Sequence, residues 1–207
     1  MKAERCNDLP QSTRPHGRRI MNTPPSIQDY SRHAGTPFYA YTTEQMVAIV
    51  RTWAEHAWPI TLAEAFAIRD QCGWIPAPGD GTLFSTQVSN GELDGAITKD
   101  IKNGNLVGTI NSRMTTRAPI ELKSSQISTI TQSIYTNYRS SLSALYGPPE
   151  DDTYSTGPYS TWTLHSNASI TLYSVATFIK IKICSPVETE SEALWKYYEN
   201  EYGPDIP

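Results

Sequence analysis

The sequence has few cysteines, no long hydrophobic run and no motif for binding a nucleotide or a metal. Its three cysteines, Cys6, Cys72 and Cys184, are odd in number and widely spaced, so they fit neither a disulfide framework nor a zinc site. The longest apolar runs, such as SVATFI, are far shorter than the roughly 20 residues that span a bilayer. The N-terminal segment also lacks the apolar core of a signal peptide. These absences predict a cytoplasmic protein that neither enters a membrane nor is secreted by the general route.

The residue types that carry catalysis occur without the partners or the spacing that their chemistry requires. Cys72 could pair with His56 as nucleophile and base, but it falls in the last turn of a predicted helix, where the helix dipole disfavours a thiolate. The adjacent carboxylates Glu150, Asp151 and Asp152 lack the alternating spacing of a calcium loop. They also lack the separate supporting elements of a catalytic pair. The sequence therefore predicts no catalytic residue, no metal and no cofactor.

Charge is unevenly distributed, although the net charge is only −4. Residues 1–36 carry six basic and three acidic side chains, whereas residues 146–207 carry nine acidic and three basic ones. An acidic C-terminal third disfavours nucleic acid and favours a partner protein with a basic surface. The alternative is that these acidic residues only keep the protein in solution.

The N-terminal segment differs in composition from the rest of the chain. Residues 1–37 contain five prolines and few large apolar side chains, so they cannot bury enough surface to offset the entropy of ordering. We predict a disordered or loosely attached arm over residues 1–37 and a single α+β domain over residues 38–207. Met21, inside the arm, is an alternative start of the natural chain.

Four helices are predicted from apolar spacing and capping signals. The first begins near Thr42 or Thr43, and the second begins with a capping box of Thr61 and Glu64, so the two are expected to form a helix hairpin. A long central helix covers about residues 124–146 and ends before a Gly-Pro-Pro sequence. A C-terminal helix is expected to begin at Thr189 and to end before the Gly-Pro pair at residues 203–204.

Six extended runs predict two three-stranded antiparallel meanders. Asn90-Gly91 and Asn103-Gly104 separate the first three runs and suit type I′ hairpin turns. In the middle run, Asp94 falls on the side that is predicted to face water. The predicted strands are approximately residues 82–88, 92–101, 105–114, 161–165, 169–173 and 177–184. The predicted fold is α+β, with the two meanders forming one twisted sheet and the helices packed on one of its faces.

The segment LYGPPEDDTYSTGPYSTW, residues 145–162, is predicted to be an irregular loop that is rich in carboxylates and aromatic rings. A solvated connection and a protein-binding loop both fit this composition. Tyrosine and tryptophan favour the second, because they offer a large contact area and lose little rotamer entropy. The C-terminal WKYYENEYG has the same mixture. The candidate partner-binding residues are Glu150, Asp151, Asp152, Tyr154, Tyr159, Trp195, Tyr198 and Glu199.

Several segments together resemble an actinobacterial family of small uncharacterised proteins: AWPITLAEAFAIRDQCGW, GTLFSTQVSNG, LSALYGPP, STWTL, SITLY and FIKIKI, between residues 53 and 183. The order of elements is also similar to that of type III secretion chaperones. Members of the family often look like companions of secreted toxins, which implies an immunity protein or a dedicated chaperone. The leading hypothesis is an immunity protein that occludes the active site of a cognate toxin. The alternative is a small-molecule-binding domain or enzyme that uses the concave face of the sheet.

Overall fold

The computed structural model describes residues 27–119 and 125–203, which form five helices and ten strands in an α+β arrangement. Most of the predicted arm, with Met21, lies outside these residues. The end of that segment contains β1 and α1, and β1 pairs with β2. The strands are β1 (Ile27–Asp29), β2 (Tyr39–Tyr41), β3 (Ile75–Ala77), β4 (Asp80–Ser85), β5 (Gly95–Lys99), β6 (Val107–Arg113), β7 (Glu150–Tyr154), β8 (Gly157–Thr163), β9 (Ser169–Val175) and β10 (Phe178–Cys184). The helices are α1 (Ser31–Ala34), α2 (Thr43–Ala54), α3 (Leu62–Gln71), α4 (Ser125–Tyr146) and α5 (Pro186–Tyr202).

Eight strands form one antiparallel sheet in the order β3-β4-β5-β6-β10-β9-β8-β7. The prediction of two three-stranded meanders was therefore wrong. Each half of the sheet has four strands, and the two halves are joined because β6 pairs with β10. The two strands that the prediction missed, β3 and β7, lie at the two edges of the sheet. β3 has only three residues and contains Pro76, and β7 is acidic, so neither resembles a typical buried strand.

The prediction of type I′ hairpin turns in the first half was wrong at both positions, although the positive φ angles expected at the first of them are present. Asn90 and Gly91 both have positive φ angles, of 53° and 83°, but they lie within a longer loop between β4 and β5. At the second position, the Asn103 side chain accepts a hydrogen bond from the amide of Asn105, and its carbonyl accepts one from Leu106. The turn before β6 is therefore held by an asparagine side chain and not by positive φ angles.

The hydrophobic core lies between the inner face of the sheet and the helices α2 and α4. The isoleucines of β10 alternate inward, as the pattern FIKIKIC predicts, and are fully buried. At the other end of the sheet the rings of Trp53, Trp74 and Phe84 are stacked, with centroids 5.9 Å and 4.6 Å apart. Phe84 lies directly over Gly95 on the neighbouring strand, where a Cβ atom would be 1.9 Å from its ring. Glycine is therefore required at that position by the packing of the inner face.

The capping boxes hold the starts of α2 and α3. Thr61 and Glu64 form the predicted reciprocal pair, and Gly73 has the expected left-handed φ of 69° after α3. Thr42 and Gln45 form a second capping box, which the sequence analysis did not identify. The helix hairpin was wrong, because the apolar stripe of α2 packs mainly against α4 and the sheet and not against α3.

α5 lies on the outer face of the sheet, so the helices do not all pack on one face as predicted. Lys182 of β10 points away from the core and forms an ion pair with Glu192 of α5. The helix begins earlier than predicted, with Ser185 as its N-cap and Pro186 at its first position. Thr189 lies inside the helix, and its hydroxyl donates to Ser169 Oγ at 3.0 Å. Of the helices described, none is long and apolar enough to cross a membrane.

Candidate functional site

The predicted acidic loop is a β-hairpin at the edge of the sheet. Residues 150–154 form β7, which pairs with β8 from Glu150 opposite Thr161 to Tyr154 opposite Gly157. The side chain of Tyr154 lies outside the described part of the structure. The prediction of an irregular loop was wrong, because charged side chains are tolerated on an edge strand, whose outer edge faces solvent.

Successive acidic residues of β7 point to opposite faces of the sheet. Asp151 points toward α4, where it forms an ion pair with Arg139 and accepts a hydrogen bond from Ser160 Oγ. The hydrogen bond from Arg139 lowers the pKa of Asp151 below its ordinary value. Ser160 is also hydrogen-bonded to the hydroxyl of Tyr135, at 2.7 Å. Asp151 thus belongs to a network that joins α4 to the sheet, and its predicted role in binding a partner is not supported by this position.

Asp152 points to the outer face, toward α5. It accepts hydrogen bonds from the Thr153 amide at 2.8 Å and from the Tyr159 hydroxyl at 2.9 Å. The ring of Tyr159 stacks on that of Tyr173, with centroids 5.6 Å apart. Lys196 Nζ of α5 lies 3.8 Å from Asp152 Oδ2. The structure therefore brings Asp152 and Tyr159 close to the C-terminal half of α5, and their role in binding a partner stays a prediction.

The C-terminal half of α5 displays large apolar and aromatic side chains to solvent. No residue of this 17-residue helix is buried, and every residue from 193 to 202 is exposed. Trp195 is 62% exposed, and Tyr198 is in ring contact with both Tyr197 and Tyr202. The helix also carries five glutamates and a single lysine. We define the α5 surface as the side chains of Leu194, Trp195, Tyr198, Glu199 and Tyr202.

A second candidate site, which the sequence analysis did not identify, is a pocket of about 360 Å³ on the outer face of the sheet. It lies over β5, β6 and β10, and none of its lining residues belongs to α5. The side chains of Arg113, Arg117 and Lys180 meet there. The residues that line it are Asp94, Ala96, Asn111, Ser112, Arg113, Arg117, Phe178 and Lys180.

Asp94 and Arg113 form a buried charged pair beneath this pocket. Their side chains are only 1% and 10% exposed, and Arg113 Nε lies 3.1 Å from Asp94 Oδ2. This contact does not have the geometry of a hydrogen bond. Within the described residues, the two carboxylate oxygens of Asp94 and the Nη1 atom of Arg113 are buried without a hydrogen-bond partner. Burial raises the pKa of Asp94 to about 7, an effect that outweighs the opposing influence of the Arg113 charge. Asp94 is thus a buried acid on the face that was predicted to be wet.

Little in the sequence indicates this pocket. Arg113 and Lys180 lie directly opposite each other only because β6 pairs with β10, and these strands are far apart in the chain. One signal was available: FIKIKIC places two lysines on the face opposite its isoleucines, so one face of this central strand carries repeated positive charge. This pattern could have predicted that an acidic group binds to that face.

The thiol of Cys72 does not show the features of a nucleophile. Burial raises its pKa to about 12, so the thiolate is scarce at neutral pH. Within residues 27–119 and 125–203, no three side chains of the histidine, cysteine, aspartate or glutamate types are grouped so that they could hold a metal ion.

Comparison with known proteins gives one assignment. No curated protein and no solved structure matches this chain. The profile of a family of unknown function, DUF6301, matches residues 44–185, from the start of α2 to the N-cap of α5. The pocket residues and β7 lie within the matched segment, whereas α5 lies beyond it. Because the match covers more than half of the sequence, the chain belongs to this family of unknown function.

Proposed function

We propose that this protein binds a partner protein with a basic surface, through the α5 surface and the neighbouring outer side of β7. The observation that carries the proposal is the absence of buried residues in a 17-residue helix that contains a tryptophan and three tyrosines. A soluble chain that leaves such side chains together in water has a surface suited to association. Tryptophan and tyrosine are also the residue types that most often dominate the energy of protein interfaces.

The charge of this region indicates the chemistry of the partner. Five glutamates of α5 are opposed by Lys196 alone within the helix, and Glu150 and Asp152 add two further carboxylates on β7. Exposed carboxylates around aromatic side chains attract a basic surface over long distances and so increase the rate of encounter. The aromatic side chains would then supply the area that is buried in the complex.

The finer form of the proposal is that the partner is a toxin domain and that this protein is its immunity protein. It rests on the resemblance to small proteins that accompany secreted toxins. An immunity protein of this kind would cover the toxin's active site with the α5 surface. A toxin that binds nucleic acid has a basic active-site cleft, which would match the acidic charge of this helix.

The test uses the full chain and the purified product of the neighbouring gene. We expect a complex in size-exclusion chromatography and calorimetry, and rescue of growth when both proteins are expressed together. Trp195→Ala and Tyr198→Ala should each weaken the complex by about thirtyfold, as expected for a hot spot of order 2 kcal/mol. Ile75→Ala, which removes an exposed apolar side chain from β3 at the far edge of the sheet, is the matched control and should bind normally. A complex that tolerates both α5 variants would refute the assignment of this surface.

A second pair of variants tests the role of charge. Glu199→Gln with Glu201→Gln should slow association and reduce its dependence on salt, because long-range attraction is removed while the contact area is kept. Glu44→Gln removes an equivalent exposed carboxylate from α2 and should change neither quantity. Equal salt dependence in all three proteins would contradict the basic partner.

A further inference from the structure

Like charges face each other across the central strands of the sheet. Lys180 of β10 and Arg113 of β6 are directly opposite in the antiparallel register. Like charges in this relation repel each other and destabilise the strand pair. Lys182 lies two residues further along the same face of β10. The outer face therefore carries a concentration of positive charge that the fold itself does not require.

The described residues neutralise only part of this positive charge. Arg113 forms ion pairs with Glu92 at 2.6 Å and with Asp94 at 3.1 Å. Lys182 is paired with Glu192. Among the described residues, by contrast, no carboxylate forms an ion pair with Arg117 or Lys180. Two cations at one pocket thus remain without a counter-charge from the described part of the chain.

Aromatic rings lie beside these cations. The guanidinium of Arg117 lies 5.0 Å from the centroid of the Phe178 ring, and that of Arg113 lies 5.8 Å from it. Lys180 Nζ lies 4.6 Å from the centroid of the Tyr173 ring. Such contacts restrict long, flexible side chains and reduce the entropy that they lose when a ligand binds. The three cationic groups are therefore partly pre-organised at one pocket.

Two further groups at the pocket have atoms that lack a hydrogen-bond partner among the described residues. Arg113 Nη1 is buried without an acceptor in the described residues, and both carboxylate oxygens of Asp94 are buried without a donor. An unsatisfied buried polar group destabilises the folded state by about 1–3 kcal/mol, so its presence in a folded protein calls for an explanation. A ligand that supplies an acceptor to Arg113 Nη1 provides one for that group.

We propose that this pocket binds the phosphate group of a small molecule, held by Arg117, Lys180 and Arg113. A phosphate monoester carries a charge of about −1.5 to −2 at neutral pH, which matches Arg117 and Lys180, the two cations that no described carboxylate neutralises. Its oxygens accept the charge-assisted hydrogen bonds that arginine and lysine donate. A pocket of about 360 Å³ has room for a small ligand beyond the phosphate group itself. This site is separate from the α5 surface and does not depend on the proposed protein partner.

Asp94 makes binding sensitive to pH. The charged groups around it are Arg113, Glu92, Lys180 and Arg117. Burial raises its pKa to about 7, so it is neutral in acid and negatively charged in mild alkali. As a carboxylate it would repel an anion and neutralise part of the Arg113 charge. As a neutral acid it would do neither, so affinity for the anion should rise as the pH falls from 8 to 6.

The experiment is a titration of the full chain, followed by amide NMR shifts and calorimetry, with inorganic phosphate, sulfate and acetate. Sulfate keeps its charge between pH 6 and 8, so its pH dependence reports groups of the protein. Sulfate and phosphate should bind more tightly than acetate, with shifts centred on β6 and β10. Arg117→Gln and Lys180→Gln should each weaken sulfate binding by roughly tenfold or more, as expected for one charge-assisted hydrogen bond.

Two variants separate a specific site from general attraction. Lys182→Gln removes the same charge from the same face of β10, but from a lysine that is already paired, and should change the affinity by less than about twofold. Asp94→Asn should bind sulfate more tightly at pH 8 and should lose the pH dependence. An adventitious ion only is indicated if Lys182→Gln weakens binding as much as Lys180→Gln does. That result, or sulfate affinities that are the same in wild type, Arg117→Gln and Lys180→Gln, would overturn the proposal.

Discussion

α4 and α5 are the two longest of the helices described, with 22 and 17 residues, and they lie on opposite faces of the same sheet. Both have an amphipathic pattern of apolar residues. α4 packs against α2, β9 and β10, and most of its apolar stripe is buried, including Ile127, Ile134 and Leu142. α5 contacts only a small part of β6 and β10, and Leu194 and Tyr202 remain exposed.

This difference shows that an apolar stripe does not determine what covers it. Helical periodicity identifies the side of a helix that is suited to burial, but the covering surface can belong to the same chain or to another molecule. For α4 the chain itself supplies that surface. For α5 the described residues do not, and the proposed partner protein would.

The first experiment makes the same substitution in both helices. Leu142→Ala should lower the free energy of unfolding by about 3 kcal/mol, because Leu142 is fully buried and its truncation leaves a cavity in the core. Leu194→Ala should change it by less than about 0.5 kcal/mol, since that leucine is 53% exposed. Urea denaturation measures both. A loss above about 1 kcal/mol for Leu194→Ala would show that α5 packs more tightly than the structure indicates.

The second experiment concerns the buried acid on the outer face. The pKa of Asp94 is raised from 3.8 in the unfolded chain to about 7, so between these values the folded protein holds a proton that the unfolded chain releases. The resulting stability is present at low pH and is lost as the pH rises toward 7. Wild type should lose roughly 2–3 kcal/mol from this group between pH 5 and pH 8.

Asp94→Asn should remove that loss, and urea denaturation at several pH values measures it. Glu92→Gln takes away the other carboxylate beside Arg113 and should retain the wild-type pH dependence. Parallel stability curves for wild type and Asp94→Asn would mean that Asp94 is ionised throughout this range.

The third experiment tests the inner face at its closest contact. Gly95→Ala would place a Cβ atom 1.9 Å from the Phe84 ring, so the ring and the stacked Trp74 would have to move. Overpacking of this kind should destabilise the protein by about 2 kcal/mol in thermal or urea denaturation. Gly104→Ala is the control, because nothing lies within 4 Å of the added atom and no positive φ is involved. If the two variants were equally stable, Phe84 would have to be free to move.

The fourth experiment tests how α5 is held at its beginning. Ser185 Oγ accepts a hydrogen bond from the amide of Glu188 at 3.1 Å, so Ser185→Ala should destabilise the helix by about 1 kcal/mol. The expected result is faster amide hydrogen exchange in the first turn of α5, with little change in α4. Ser191→Ala, inside the same helix, should not have this effect, because alanine is the better helix former. Unchanged exchange in Ser185→Ala would show that contacts with the sheet and not the cap hold the helix.

The parts of the fold that the sequence predicted are those set by interactions between residues close in the chain. The capping box of Thr61 with Glu64, the extent of α4 and the alternation of β10 each depend on residues within a few positions of one another. The start of α5 also had a local signal, since serine followed by proline is typical of an N-cap and first helical position. The structure places the N-cap at Ser185 and not at Thr189.

The parts that the sequence did not predict depend on the sheet as a whole. β7 was missed because strand propensity disfavours aspartate, although an edge strand tolerates it. Asp151 and Asp152 can be assigned to opposite faces of the sheet only when β7 is known to be a strand, because successive side chains of a strand point to opposite faces. The pocket was missed because Arg113, Lys180 and Asp94 come together through pairings between distant parts of the chain.

The pairing of β6 with β10 has a consequence for folding kinetics. Every other pair in the sheet joins strands that are neighbours along the chain, so its formation closes only a short loop. β6 and β10 are separated by α4 and three strands, and joining them must overcome the entropy of closing a long loop. We expect each four-stranded half to form early and the union of the halves to limit the folding rate. Until that step, the edges of β6 and β10 are exposed hydrogen-bonding surfaces, and these central strands are where a newly made chain is most open to pairing with another copy.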